Sequence, residues 1–287
     1  MNNKKIIMSF ITICIMLLFS QNFSFASDTA DVELDYLYKR CNEIKFKLSD
    51  RDTSFESAVE IPVLMDYTVE IIKRNPELAY DAVMSFSIRP HAIKEAYEKY
   101  QKLKEKYLNN LDDPDTDAAE KLFFMLITLL YPGEFEYDNS QSVNPKCELC
   151  IEGLKKMKDN ATNKDYAALA TLILANERGY ENSLNEFLEK YPDHPAVPQV
   201  KLNIASGYGL TEEYDKCIVK TEELLKQYGN INEPCGWTFD VTCYEVLCFC
   251  YIEKGDKTTA KKYFDLIKQK APLDPQINYL KRELGEL

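Results

Sequence analysis

Apolar residues recur at three- and four-residue intervals along most of this chain, and strict alternation of apolar and polar residues is rare. The clearest stripes are Leu34, Leu37, Cys41, Ile44 and Leu48, and then Val63, Tyr67 and Ile71. Such spacing places apolar side chains on one face of an α-helix, whereas a half-buried strand requires a period of two. The pattern therefore predicts an all-α protein.

Prolines and acidic turns mark where several of these helices begin and end. A lysine- and glutamate-rich helix is predicted from Pro90 to Leu108, and an apolar-rich helix from Ala118 to Leu130. Asn144 followed by Pro145 is typical of an N-cap and a first helical position. Residues 132–143 carry several turn formers and are predicted to form an irregular loop.

Three segments of the C-terminal half, residues 175–195, 209–229 and 252–272, align with one another. One small-residue position holds Ser183, Cys217 and Ala260, and a large apolar position nine residues earlier holds Leu174, Tyr208 and Tyr251. The first two segments are 34 residues apart, and nine extra residues precede the third. A fixed period of this length indicates a repeat protein.

The slots of this repeat resemble those of the tetratricopeptide repeat (TPR) family. In Val241–Asp274 they are filled by Leu247, Cys248, Tyr251, Gly255, Ala260, Phe264 and Pro272. The resemblance is clearest in residues 164–274 and implies antiparallel helical hairpins stacked as a TPR-like α-solenoid. On this interpretation residues 161–287 are repeats with a C-terminal capping helix. Residues 27–160 are a helical N-terminal region, either degenerate repeats or a separate helical domain.

The resemblance also implies a concave groove that binds a protein or peptide partner. The first helix of each repeat would line it with Leu172, Asn176, Gln199, Leu202, Ser206, Thr242, Glu245, Phe249 and Glu253, and also with Leu210. This surface mixes apolar and polar side chains, which suits an extended peptide or a helix. The insertion that precedes the third repeat adds Trp237 and Phe239, which either anchor a partner or fold back onto that repeat.

The first 26 residues have the features of a secretory signal peptide. Lys4 and Lys5 precede the apolar run Ile6–Phe19, and the small residues Ser24 and Ala26 mark a cleavage site. We therefore expect an exported protein, periplasmic or secreted and of bacterial type, with no membrane span after cleavage.

Charge and composition exclude several classes of function. The net charge is −12, and removal of the leader, which holds two lysines and no acidic residue, leaves −14. Such a chain is repelled by nucleic acids and by anionic membranes. Only 9 of 287 residues are glycine, and no glycine-rich phosphate-binding motif occurs.

Eight cysteines remain after the leader, an even number that permits disulfides in an exported protein. Cys147 and Cys150 form a C-x-x-C pair at a predicted helix N-terminus, which favours a redox-active thiolate or else a structural pair. Cys235 and Cys243 flank the insertion, and a disulfide between them would clamp it. Cys217 and Cys248 occupy small core slots.

No pattern of catalytic or metal-ligating residues accompanies these features. The chain has two histidines, His91 and His194, and neither belongs to a recognisable ligand or acid–base motif. His194 lies between Pro192 and Pro195, where one repeat ends and the next begins. We therefore expect no metal and no cofactor.

The leading hypothesis is an exported, non-catalytic scaffold that binds another protein at the cell envelope. Two alternatives remain open at this point. One is a thiol–disulfide redox protein that uses Cys147 and Cys150. The other is an accessory subunit of an envelope polysaccharide-processing assembly.

Overall fold

A computed structural model of the chain describes residues 29–49, 58–77, 79, 93–130, 145–177, 181–233 and 236–286. These residues form α-helices α1 (Thr29–Ser49), α2 (Ile61–Arg74), α3 (Lys94–Tyr107), α4 (Ala118–Leu130), α5 (Pro145–Asn160), α6 (Lys164–Glu177), α7 (Glu181–Lys190), α8 (Val197–Leu210), α9 (Tyr214–Tyr228), α10 (Phe239–Glu253), α11 (Lys257–Lys270) and α12 (Gln276–Leu284). A short 3-10 helix, Ala58–Glu60, precedes α2. The prediction of an all-α protein is confirmed within this part of the chain.

Several predicted helix boundaries are confirmed. The structure has a helix at Ala118–Leu130, a helix that begins at Pro145, and one at Lys94–Tyr107 inside the range predicted from Pro90. The leader and the predicted loop at 132–143 lie outside the described residues. None of the described helices has the length and apolar content needed to cross a lipid bilayer.

From Asp35 to Leu287 the chain forms one compact unit in which consecutive helices pack on each other. Helix α4 packs against α2, α3, α5 and α6, and from α5 onward each helix contacts the next. In addition, α8 contacts α10 and α10 contacts α12. Packing therefore continues without a break across residue 160, where the sequence suggests a change from the N-terminal region to the repeats.

Helix α4 is the centre of the N-terminal part of this unit. Every residue from Lys121 to Leu129 is buried. The buried ammonium of Lys121 donates a hydrogen bond of 2.6 Å to the carbonyl oxygen of Asp113, which gives it a polar partner. A helix that is apolar on all sides is stable only when other helices surround it.

The buried face of α2 differs from the stripe that the sequence indicates. Val63 is exposed and Tyr67 is only partly buried, and of the predicted stripe Ile71 alone is completely buried. The buried residues are Ile61, Leu64, Met65, Thr68, Ile71 and Ile72. Because α2 packs against both α3 and α4, its buried face is wider than the predicted stripe, and the centre of that face lies one residue away from the stripe.

The turns α8–α9 and α10–α11 have the same backbone geometry. In one, the N–H groups of Glu212 and Glu213 donate to the carbonyls of Gly209 and Tyr208. In the other, Gly255 and Asp256 donate to Ile252 and Tyr251 in the same register. Gly255 has φ +76 and its counterpart Glu212 has φ +64, so both occupy the left-handed region.

We expect Glu212→Gly to raise the free energy of unfolding by about 1 kcal/mol, because a side chain in the left-handed region is strained. Gly255→Ala is the reciprocal change, and a Cβ there would meet no atom within 4 Å. It should lower stability by a similar amount through backbone strain alone. Urea denaturation of both variants measures the two effects; equal stability of Glu212→Gly and wild type would contradict the assignment.

The N-terminal and C-terminal helices of this unit are in direct contact. The side-chain amide of Asn278 in α12 donates to the hydroxyl oxygen of Ser49, at 3.1 Å, and to the carbonyl oxygen of Phe46, at 3.4 Å. Phe46 also packs against the buried cluster that contains Ile277 and Leu280. The end of α1 therefore covers part of the C-terminal helices.

Candidate partner-binding groove

A cavity of about 240 Å³ opens between α8, α10 and α12. Its walls come from Ser206 and Leu210 of α8, Glu245, Val246 and Phe249 of α10, and Gln276, Tyr279 and Leu280 of α12, with Cys217 and Cys250 behind them. We refer to this cavity as the groove. It exists because α10 contacts both α8 and α12, so one face of each of these three helices borders the same space.

The groove offers apolar surface to solvent. Leu210 at the end of α8 is 73% exposed, and Tyr279 of α12 is 36% exposed. Phe249 is partly buried between them. Apolar side chains that are exposed around a concavity are typical of a site that binds another molecule.

One carboxylate, that of Glu245, lines the groove, and those of Asp274, Glu253 and Glu283 lie near it. The Asp274 carboxylate accepts a hydrogen bond of 2.7 Å from the backbone N–H of Gln276. Burial raises the pKa of Asp274, and a hydrogen bond with Glu245 acts in the opposite direction. Burial and then the charges of Glu283 and Glu253 raise the pKa of Tyr279. The charge of Arg282 opposes the shift of Tyr279, so carboxylates and a guanidinium both act at this end of the cavity.

Three of the predicted groove residues, Ser206, Glu245 and Phe249, do line the groove, as does Leu210. Glu253 is exposed at the end of α10. Its charge acts on the neighbouring Tyr279. That these residues contact a partner stays a prediction.

Two of the predicted groove residues are buried. Leu172 and Leu202 are each 1% exposed, so no partner can contact them without unfolding. Leu202 packs into a cluster with Phe239 and Cys243 of α10. The expectation does not fit these two residues, because Leu202 is covered by α10 and Leu172 lies on α6, which packs against α4, α5 and α7. The side chain of Asn176 lies outside the described residues.

Gln199 and Thr242 lie elsewhere. Gln199 lines a second cavity of about 320 Å³. The hydroxyl of Thr242 donates a hydrogen bond of 2.9 Å to Glu233, which ties α10 to the preceding loop. Both positions belong to the N-terminal halves of their helices, away from the groove.

The two aromatic residues considered as loop anchors fold back onto the chain. Phe239 is 1% exposed and meets Tyr228 edge-on, with ring centroids 6.3 Å apart. Trp237 is partly buried and packs against the cluster around Phe264. Of the two roles that the sequence left open, the structure supports packing.

The cysteines are mostly core residues. Cys217 and Cys248 are completely buried, which confirms their prediction as small core positions. Cys243 is a buried free thiol, and its predicted partner Cys235 lies outside the described residues, so that pairing stays a prediction. Cys150 is also completely buried.

His194 has a structural role between α7 and α8. Its Nδ1 accepts a hydrogen bond of 3.1 Å from the backbone N–H of Ala196, and its ring meets Phe187 edge-on. Burial lowers the pKa of His194, whereas the charges of Asp165 and Glu77 oppose that shift. Protonation of Nδ1 would remove the acceptor that shapes the turn into α8.

This arrangement predicts a loss of stability in acid. The pKa of His194 is lower in the folded state than its ordinary value of 6.5. The stability that its neutral ring contributes is therefore complete above pH 6.5 and is lost as pH falls through the folded pKa. His194→Asn keeps an acceptor for the same N–H and does not titrate. Between pH 7.5 and 5, we expect the free energy of unfolding to fall further in wild type than in His194→Asn. Parallel pH curves would contradict this.

The sequence did not indicate Gln276 and Tyr279 as groove residues. They lie on the C-terminal helix, which the repeat pattern treats only as a cap whose apolar stripe includes Ile277 and Leu280. Those two residues are buried, as a cap requires. The contact of α12 with α10 places Gln276, Tyr279 and Leu280 along the cavity.

Comparisons with known proteins give no relative: no protein-family model, no curated protein and no solved structure matches this chain. The resemblance to tetratricopeptide repeats therefore stays a prediction. Among the described residues, no group of three or more His, Cys, Asp or Glu side chains is placed to hold a metal ion.

Proposed function

We propose that this protein is an exported, non-catalytic scaffold of TPR-like helical hairpins that binds a peptide segment of another protein in the groove. The single observation that carries the proposal is the groove itself, a concave site with exposed apolar side chains at Leu210 and Tyr279. Export is inferred from the leader.

The charge distribution favours a basic partner segment. Glu245 lines the groove, Glu253 lies beside it, and the chain without its leader carries a net charge of −14. An apolar side chain would bury against Phe249 and Leu210, while a neighbouring lysine or arginine would face the carboxylates. The proposed occupant is therefore a peptide segment with a bulky apolar residue flanked by basic residues.

The thiol–disulfide alternative at Cys147 and Cys150 has less support. The described residues offer no specific observation in its favour: the side chain of Cys147 is not among them, and Cys150 is completely buried. No specific observation favours the alternative of a subunit in a polysaccharide-processing assembly.

The test is selection of a random peptide library on the chain without its leader, followed by affinity measurements on the enriched peptides. We expect enrichment of an apolar residue next to lysine or arginine. Leu210→Ala should weaken binding about tenfold, since a central apolar contact contributes on the order of 1–2 kcal/mol. Glu253→Gln should weaken binding less and reduce its dependence on salt.

Val219→Ala is the matched control, because Val219 is 53% exposed on α9 and does not line the groove. Its affinity should equal that of wild type. The proposal fails if the library yields no shared pattern, or if the enriched peptides bind Leu210→Ala as tightly as wild type.

A further inference from the structure

Two cysteines meet behind the groove, although they belong to different helical hairpins. Cys217 lies on α9 and Cys250 on α10, and both are completely buried free thiols in one cluster with Leu247. A Cβ built on Gly209 would lie 3.7 Å from each of the two sulfur atoms. The two sulfur atoms therefore border the same point above Gly209 and lie close to each other.

The two thiols are chemically unequal. A hydrogen bond from Cys250 is the largest of the effects that lower the pKa of Cys217 to about 7, and the same contact raises the pKa of Cys250. The hydroxyl of Thr221 lies near the Cys217 sulfur and also favours its thiolate. Thr221 Oγ1 is buried with no hydrogen-bond partner in the described structure, so it is available to donate to that thiolate.

Other described cysteines have raised rather than lowered pKa values. Burial raises the pKa of Cys41 to about 11, and the pKa values of Cys243 and Cys248 to about 12. The thiolate is the form that reacts with disulfides. Cys217, whose pKa is lowered, is therefore the attacking thiol among these cysteines.

We propose that Cys217 and Cys250 form a reversible disulfide that joins α9 to α10 behind the groove. The oxidant is a low-molecular-weight disulfide. The Cys217 thiolate attacks one of its sulfurs, forms a mixed disulfide and releases one thiolate. The Cys250 thiol then loses its proton and attacks the Cys217 sulfur, which forms the protein disulfide and releases the second thiolate. Two protein thiols are oxidised and one small disulfide is reduced to two thiols.

Phe249 lies beside this pair of cysteines in the groove. Its ring carbon Cε1 lies 3.9 Å from the same point above Gly209, and it lines the groove together with both cysteines. The route to Cys217 that the groove provides therefore passes this ring. The chain without a bound partner leaves this route open, so the test does not depend on the proposed peptide binding.

The experiment uses the chain without its leader, reduced and then equilibrated in glutathione buffers of graded redox potential. Remaining thiols are blocked, and disulfides are located by peptide mass spectrometry. We expect a Cys217–Cys250 cross-linked peptide under native conditions that disappears in reducing buffer. Cys250→Ser should instead retain one glutathione on Cys217. Cys248→Ser is the control and should form the cross-link as wild type does, because the Cys248 thiol bonds to the carbonyl oxygen of Ala260, at 3.3 Å.

A second measurement requires no cysteine substitution. We expect a small neutral alkylating reagent to modify Cys217 about tenfold faster than Cys248 at pH 7, in keeping with its larger thiolate fraction. Phe249→Ala should increase that rate further. The proposal is overturned if the native wild-type protein forms no Cys217–Cys250 peptide in any buffer, if that peptide appears only after unfolding, or if Cys217 and Cys248 react equally fast.

Discussion

Replacing Phe264 by alanine should lower the free energy of unfolding by about 3–5 kcal/mol, the cost of removing a large buried aromatic side chain and leaving a cavity. Phe264 lies in α11 with none of its surface exposed, in a cluster with Val241, Cys248 and Ala260. The same four residues hold α10 against α11. Because small side chains bring these helices close together, the surroundings cannot relax enough to fill the space.

Guanidinium denaturation of wild type and Phe264→Ala provides the measurement. Val219→Ala, at an exposed position of α9, is the control and should change stability by less than about 0.5 kcal/mol. A loss below about 1 kcal/mol in Phe264→Ala would show that Phe264 is not at the centre of a packed core.

Replacing Phe124 by alanine should cost a similar amount, about 3–5 kcal/mol. Phe124 is completely buried in α4, and its ring stacks on Tyr100 with centroids 5.9 Å apart. Tyr107 of the same helix α3 also contacts it, at 6.5 Å. Because α4 is surrounded by helices, a cavity there would weaken the contacts of α2, α3 and α5 together.

Which unfolding transition each substitution shifts is as informative as the loss of stability itself. Since residues 35–287 form one compact unit, we expect Phe124→Ala and Phe264→Ala to shift the same single unfolding transition. Val63→Ala, at an exposed position of α2, should leave that transition within about 0.5 kcal/mol of wild type. Two separate transitions, with only one of them moved by Phe124→Ala, would show that the N-terminal helices fold independently of the C-terminal ones.

Local features of the fold could be predicted closely. The apolar spacing gave the helix Ala118–Leu130 at its observed bounds, and the small slot at Ala260 and the turn residue Gly255 lie where the repeat alignment put them. These features depend on residues within one or two turns of a helix, or within one hairpin. Their physical causes are side-chain periodicity, close helix contact and backbone conformation, all of which are written in short stretches of sequence.

The site was predictable only in part. Ser206, Glu245 and Phe249 line the groove as expected, but Leu172 and Leu202 are buried. Whether such a side chain is open or closed depends on how closely the next helix approaches, and the sequence of one repeat does not contain that distance.

The amino-acid sequence by itself therefore determined the helices, the turns between them and the small residues that let paired helices approach. The tertiary structure alone decided that Asn278 reaches Ser49, that α12 completes the groove, and that Cys217 meets Cys250. The reason is physical: helix formation and hairpin packing act between residues near in sequence. Exposure, cavities and thiol contacts are instead set by neighbours that only the folded chain brings together.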